Sequence, residues 1–177
     1  MPYFCAMISM VQLTPDDAEL LADIGGVSLL QSHGHSAPAH IMQAYVDKSF
    51  SVDACRAELE DSAHIFYGAF YNGVPAGYFK IQYNVPHEAV PLQPVTKLQR
   101  LYVLNEFLGL QLGHALMQKT IDLSKEAGEQ GMWLNVWKEN SRAIRFYQKK
   151  GFETVGESLF VLTKTHANPN WVMLLKY

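Results

Sequence analysis

Apolar and polar positions alternate most clearly in two neighbouring runs. Ala63 to Tyr71 and Val74 to Tyr83 are rich in aromatic and β-branched residues, and Asn72-Gly73 sits between them. That dipeptide favours positive backbone angles, so the pattern predicts a hairpin with a tight turn. Phe4 to Leu13 reads as a strand before it. Thr14-Pro15-Asp16-Asp17 then offers a cap, a proline suited to the first helical position and acids at the positive helix end. The predicted helix runs through Leu20, Leu21 and Ile24, with Gly25-Gly26 expected to kink or weaken it. Polar Gln31 to His40 reads as a loop. Two short helices follow, Ile41 to Lys48 and Val52 to Asp61, the second capped by Ser51.

Asn84 to Pro94 holds three prolines and reads as a loop. Lys97 to Leu104 is the next strand and leads into a helix from about Leu112 to Gly128. Leu112, Ala115, Leu116, Leu123 and Ala127 form its predicted buried stripe. Met132 to Trp137 is a strand and Asn140 to Lys150 a helix, ended by Gly151 in a left-handed cap. Phe152 to Thr163 and Trp171 to Tyr177 are the last strands. Strands alternating with helices in the second half indicate an α/β layer with a mixed sheet, to which the hairpin adds antiparallel pairs.

Composition narrows the function classes. The chain has 177 residues, a length that favours one domain or one domain plus an extension, and 49% of them are apolar, enough for a proper core. A net charge of −3 gives no sign of a nucleic-acid-binding surface. Cys5 and Cys55 lack metal-ligand or redox spacing and are expected to be reduced core thiols. No run approaches transmembrane length and no secretory signal is visible, so the expected setting is cytoplasmic, with no membrane partner.

The chemistry concentrates between Leu98 and Phe152. A strand, Arg100-Leu101-Tyr102-Val103, is followed by the loop Leu108-Gly109-Leu110-Gln111-Leu112-Gly113 and a helix start. Leu101 and Val103 share one strand face, Arg100 and Tyr102 the other. A helix start offers unpaired N–H groups and partial positive charge to phosphate oxygens, and glycine lets a ligand approach the backbone closely. Alone, the loop is equally an ordinary strand-to-helix turn. Further on, Asn140 and Tyr147 lie seven residues apart, about two turns, and so share a helix face.

Taken together, strand, glycine loop, helix, strand and the run Asn140-x-x-Ala143-x-x-Phe146-Tyr147-x-x-x-Gly151-Phe152 resemble the acyl-CoA-binding half of the GNAT superfamily of N-acetyltransferases. The resemblance implies one domain over residues 1–177, with a mixed, mostly antiparallel sheet flanked by helices on both faces. It implies acetyl-CoA as co-substrate and direct acetyl transfer to the primary amine of a small molecule. The strand backbone at Leu101, Tyr102 and Val103 would pair with the pantetheine arm, as an added strand does. Gly109, Leu110, Gln111, Leu112, Gly113 and His114 would face the coenzyme diphosphate. Asn140 would hydrogen-bond the coenzyme arm, and Tyr147 would protonate the leaving thiolate, a transfer between groups of comparable pKa.

The sequence departs from the family pattern in three places. The usual loop begins with Gln or Arg and places glycine where this chain has Gln111; Leu108 and Gln111 break that rule. Close-looking relatives carry an acid before the Arg-x-Tyr-Val strand, and here that residue is Gln99, which cannot act as a base. The nearby acids Glu88, Glu106 and Glu139 have no position over the thioester assignable from sequence. The tail resembles PaiA-type polyamine acetyltransferases, which makes a polyamine one candidate acceptor, but Thr163 to Asn168 is basic and polar where a dense cation wants nearby carboxylates. A homodimer through sheet edges is the form relatives often take. The alternative reading is a non-catalytic acyl-CoA-binding or regulatory module of the same fold.

Other clusters read as structural. His33, His35 and His40 lack a carboxylate or cysteine at metal-ligand spacing and read as a solvated loop, with no metal expected. Trp133, Trp137 and Trp171 read as core, since no basic stripe accompanies them. Lys149-Lys150 suits a helix C-terminus, a reading favoured over contact with coenzyme phosphates.

Overall fold

In the computed structural model, which describes residues 7–177, Asn72 and Gly73 turn with φ of 51° and 81°. They join β2 (Ile65–Tyr71) to β3 (Val74–Gln82) as the hairpin pattern predicts. The remaining strands are β1 (Ile8–Gln12), β4 (Thr96–Val103), β5 (Gly131–Trp137), β6 (Glu153–Val161) and β7 (Ala167–Lys176). The helices are α1 (Ala18–His33), α2 (Ala39–Ser49), α3 (Val52–Glu60), α4 (Leu112–Glu126) and α5 (Ser141–Lys149). The strands follow the order β1-β2-β3-β4-β5-β7-β6 in one mixed sheet. β4 and β5 pair in parallel, whereas β1–β2, β5–β7 and β6–β7 pair antiparallel. Cys5 and the start of the predicted first strand lie outside the described residues.

The chain divides into two compact units, Met1–Lys80 with Arg100–Gln118, and Ile81–Gln99 with Lys119–Tyr177. In the first unit the Asp17 carboxylate accepts from the Thr14 backbone N–H (2.8 Å) and hydroxyl (3.0 Å), fixing the entry to α1. Two expectations for α1 fail. Gly25 and Gly26 lie inside an unbroken helix, and it continues to His33 through residues expected to be loop. Packing accounts for the glycines: a Cβ on Gly25 would stand 2.4 Å from the Phe50 ring, and one on Gly26 would stand 3.1 Å from Val46. Closeness to α2 and its end thus outweighs poor helix propensity. α3 begins with Ser51 accepting from the Ala54 N–H at 3.2 Å. Cys55 is free and buried, and burial pushes its thiol up to about 11.

Glu58 on α3 ties the helix to two strands. It accepts from both terminal nitrogens of Arg100 on β4 (2.8 and 3.1 Å) and from Lys80 on β3 (3.1 Å). Burial pushes its carboxyl up, but the two cations outweigh that and hold it below the usual range. The Arg100 guanidinium also lies 4.9 Å over the Phe50 ring.

In the second unit, the predicted loop after β3 folds over one face of the sheet. The Trp133 indole N–H donates to the Val85 carbonyl at 2.7 Å, and Val90, Val95, Trp133, Val172 and Leu174 form an apolar cluster. α4 buries Leu112, Leu116, Met117, Thr120 and Ser124, while Ala127 is exposed. The stripe therefore includes two hydroxyls that a hydrophobic pattern assigns to solvent. Ser124 is satisfied inside by Thr96 (2.7 Å), which also donates to Glu129 at 3.1 Å. Among the described residues, no helix is long and apolar enough to cross a membrane.

Candidate functional site

The predicted strand-to-helix turn lies in the first unit. β4 ends at Val103, and the Leu104 N–H still donates to Ala76 on β3 at 2.9 Å. A short 3-10 turn, Asn105–Phe107, is anchored by Gln31, whose side-chain oxygen accepts from the Asn105 N–H at 2.8 Å. Two residues then take left-handed backbone, Gly109 with φ 83° and Gln111 with φ 65°. α4 begins at the next residue, and Ala115 donates its first backbone bond to Gln111 at 3.0 Å. The N–H groups of Leu112, Gly113 and His114 precede that bond, so they form the electropositive helix end. Gly109, Leu110 and Gln111 are exposed, and the side chain of Leu112 is buried, which leaves its contribution to the backbone.

The position where the family pattern asks for glycine is thus one where this backbone is left-handed. Gln111 adopts that conformation at a steric cost of about 1–2 kcal/mol. Gln111 thus holds, with a side chain, a backbone conformation that glycine adopts without that cost.

On β4, Tyr102 turns toward α1. Its ring meets His33 edge-on at 6.1 Å and Tyr78 at 5.8 Å, and its hydroxyl bonds with Ser32. Burial pushes the phenol up to about 12. Its side chain is therefore used in packing, and only its backbone can serve the strand-pairing role. His33 departs from the solvated-loop expectation: it ends α1, with Nδ1 2.7 Å from the Ser32 hydroxyl, while His40 belongs to α2. Burial, assisted by His35, lowers the His33 imidazole to about 4. Gln99 bonds with Gln82, so two neutral amides meet just before Arg100 on β4.

Asn140 and Tyr147 lie in the second unit. Asn140 caps α5 by accepting from the Ala143 N–H at 3.1 Å, which leaves the carboxamide NH2 group for other work. Tyr147 is half-buried, with its ring edge-on to Phe146 (5.4 Å) and Phe152 (5.7 Å). Its carbonyl accepts from Lys150 (3.0 Å) and Phe152 (3.1 Å), and Gly151 closes the helix with φ 93°. Trp133 and Trp137 are buried as expected.

Sequence reasoning missed a polar group on β5, β6 and β7. Asn135 is the exposed residue of β5, its strand companions all being buried. It accepts from the Ser158 hydroxyl on β6 at 2.9 Å. Asn170 on β7 is buried, and its carboxamide oxygen has no hydrogen-bond partner among the described residues. An asparagine interrupting the apolar run Met132 to Trp137 was the available signal.

Residues 27–152 match the model of the acetyltransferase (GNAT) family. An uncharacterized N-acetyltransferase of Mycobacterium tuberculosis is 30% identical over 78% of this chain and 83% of its own length. One from Lactobacillus delbrueckii subsp. lactis is 23% identical over 88% and 90%. Among solved structures, the PaiA N-acetyltransferase from Thermoplasma acidophilum in complex with coenzyme A superposes with a TM-score of 0.78. It is 20% identical, with 97% of this chain and 99% of that one covered.

Proposed function

The chain belongs to the GNAT family of acetyltransferases, and on that premise we propose that it transfers the acetyl group of acetyl-CoA directly to a primary amine of a small molecule. The observation that carries this reading is the turn at Gly109 and Gln111, whose two left-handed residues lead straight into α4. Exposed backbone followed by a helix N-terminus suits a diphosphate, because the donors are main-chain groups and survive the loss of the pattern glycine. On this reading residues 1–177 act as a single N-acetyltransferase domain.

Each residue has a separate task. The amides of the turn and of Leu112, Gly113 and His114 hold the diphosphate. The β4 backbone at Leu101, Tyr102 and Val103 pairs with the pantetheine amides, and a β4 N–H polarises the thioester carbonyl. Asn140 donates to the coenzyme arm through its NH2 group. The amine nitrogen bonds to the acetyl carbon, the carbon–sulfur bond breaks, and the thiolate takes the Tyr147 proton. The amine's proton leaves to solvent, which returns one to the Tyr147 phenolate. Acetyl-CoA supplies an activated acyl group and a stable leaving group.

A thiol-release assay with polyamines, amino acids and amino sugars tests the proposal. Turnover with at least one amine class is expected; absence of both turnover and coenzyme binding overturns it. The Gln99–Gln82 contact favours a second reading, an acyl-CoA-binding module without turnover. Calorimetry showing coenzyme binding alongside a silent assay selects that reading.

A further inference from the structure

β5, β7 and β6 lie side by side in that order, so Asn135 and Ser158 are two strands apart. Adjacent strands are about 4.8 Å apart, so a flat sheet would separate these outer strands by roughly 10 Å. Their side chains nevertheless meet at 2.9 Å. The sheet therefore curls toward this face and forms a trough with β7 as its floor.

Register places Asn170 on that floor. It pairs with Ser158 on one side and Trp137 on the other, while Val172 pairs with Asn135 and Gly156. One end of the trough is closed by the loop after β3. A Cβ on Gly156 would stand 2.7 Å from Ala89, and Trp133 is held under Val85. The other end is open, since Asn135 is exposed in a strand with neighbours on both sides. At its base Asn170 is 8% exposed, and its buried carboxamide oxygen has no partner among the described residues. A buried acceptor left unpaired is costly, and a ligand that satisfies it gains selectivity out of proportion to its size.

The charge of the trough restricts what it takes. Asn168, Asn170, Val172, Asn135, Trp137 and Ser158 are all neutral. The ion pair of Lys138 and Glu157 (2.9 Å) belongs with Trp171, which points to the opposite face. Glu88, the acid of the covering loop, is exposed, and the charge at the closed end is the cation Lys97, 5.0 Å over the Trp133 ring. Carboxamides both donate and accept, so their complement is a neutral group that does the same. We infer that Asn135, Ser158 and Asn170 seat the acceptor, and that it is a small amine carrying an amide or hydroxyl beside its amino group, in preference to a polycation. The seat rests on the acetyltransfer reading for its purpose and on the trough for its chemistry.

The test uses full-length protein with saturating coenzyme, glycinamide and ethanolamine as neutral-group amines, and spermidine as the polycation. Side-chain NH2 resonances of Asn135 and Asn170 are followed by NMR during titration, assigned by loss of each in Asn135→Ala and Asn170→Leu. Expected are shifts of both on adding glycinamide, and at least tenfold higher kcat/KM for glycinamide than for spermidine. Asn135→Ala, at an exposed position, should raise the glycinamide KM about tenfold with kcat, coenzyme affinity and the denaturation midpoint kept. Shifts without any turnover would keep the seat and overturn acetyl transfer. Turnover with neither resonance moving, or with spermidine preferred, would overturn the seat and leave acetyl transfer standing.

Discussion

Gly77 on β3 stands so close to Tyr102 on β4 that a Cβ there would lie 2.3 Å from the Tyr102 carbonyl oxygen. The same Cβ would be 3.1 Å from the Val103 Cα. Both obstacles are backbone, so they cannot swing aside. The close approach fixes the stretch of β4 proposed to pair with the pantetheine arm. Gly77→Ala should therefore cost about 1–3 kcal/mol in chemical denaturation, with loss of coenzyme affinity by calorimetry. Unchanged stability would show that the strands separate freely at this point.

Gln111 holds a left-handed backbone immediately before α4. Gln111→Gly removes the steric cost and adds unfolded-state entropy, leaving a net gain of roughly 0.5–1 kcal/mol. Coenzyme affinity should be kept or improved, because the donors there are main-chain groups. Gly109→Ala, with φ of 83° and no relief available, should shift both quantities the other way. Thermal denaturation and calorimetry on the two variants decide the matter.

His33 gives the fold an acid-side weakness. Its folded pKa, lowered chiefly by burial, is about 4 against an ordinary 6.5. As pH falls, the unfolded chain takes up this proton first. Stability from the neutral imidazole is complete above about 6.5 and drains away as pH drops toward 4, by at most about 3 kcal/mol. Glu58, held low by its two cations, adds to the loss from the ordinary glutamate range downward, overlapping the acid end of the His33 window. Denaturation midpoints of His33→Gln between pH 7 and 4 should fall less than those of the wild type.

Arg100 on β4 and Glu58 on α3 form a partly buried bidentate pair that Lys80 completes. Removing one partner of such a pair costs up to about 3–5 kcal/mol, because the other is left under-compensated. Arg100→Met should lower the thermal midpoint by several degrees. A midpoint equal to that of the wild type would show that Lys80 alone satisfies Glu58.

Local chemistry made much of the fold legible in sequence. Asn72-Gly73, Ser51 and Gly151 turn or cap as expected, since each acts through its own backbone and the next few residues. Features set by distant partners were not legible. α1 runs through Gly25-Gly26 because Phe50, far along the chain, packs against it. Ser124 is buried because Thr96 bonds to it. The same applies to the site: the turn at Gly109 to Gly113 is contiguous and was visible. Asn135, Ser158 and Asn170 come together only through the register of β5, β7 and β6.

Tyr147 bears the central chemical claim, and Tyr147→Phe tests it most directly. The variant removes one hydroxyl and keeps the ring that packs against Phe146 and Phe152. Thiol release and coenzyme calorimetry on one preparation should show turnover reduced by about 10²–10⁴-fold with the Kd for coenzyme unchanged. Turnover equal to that of the wild type would contradict the account.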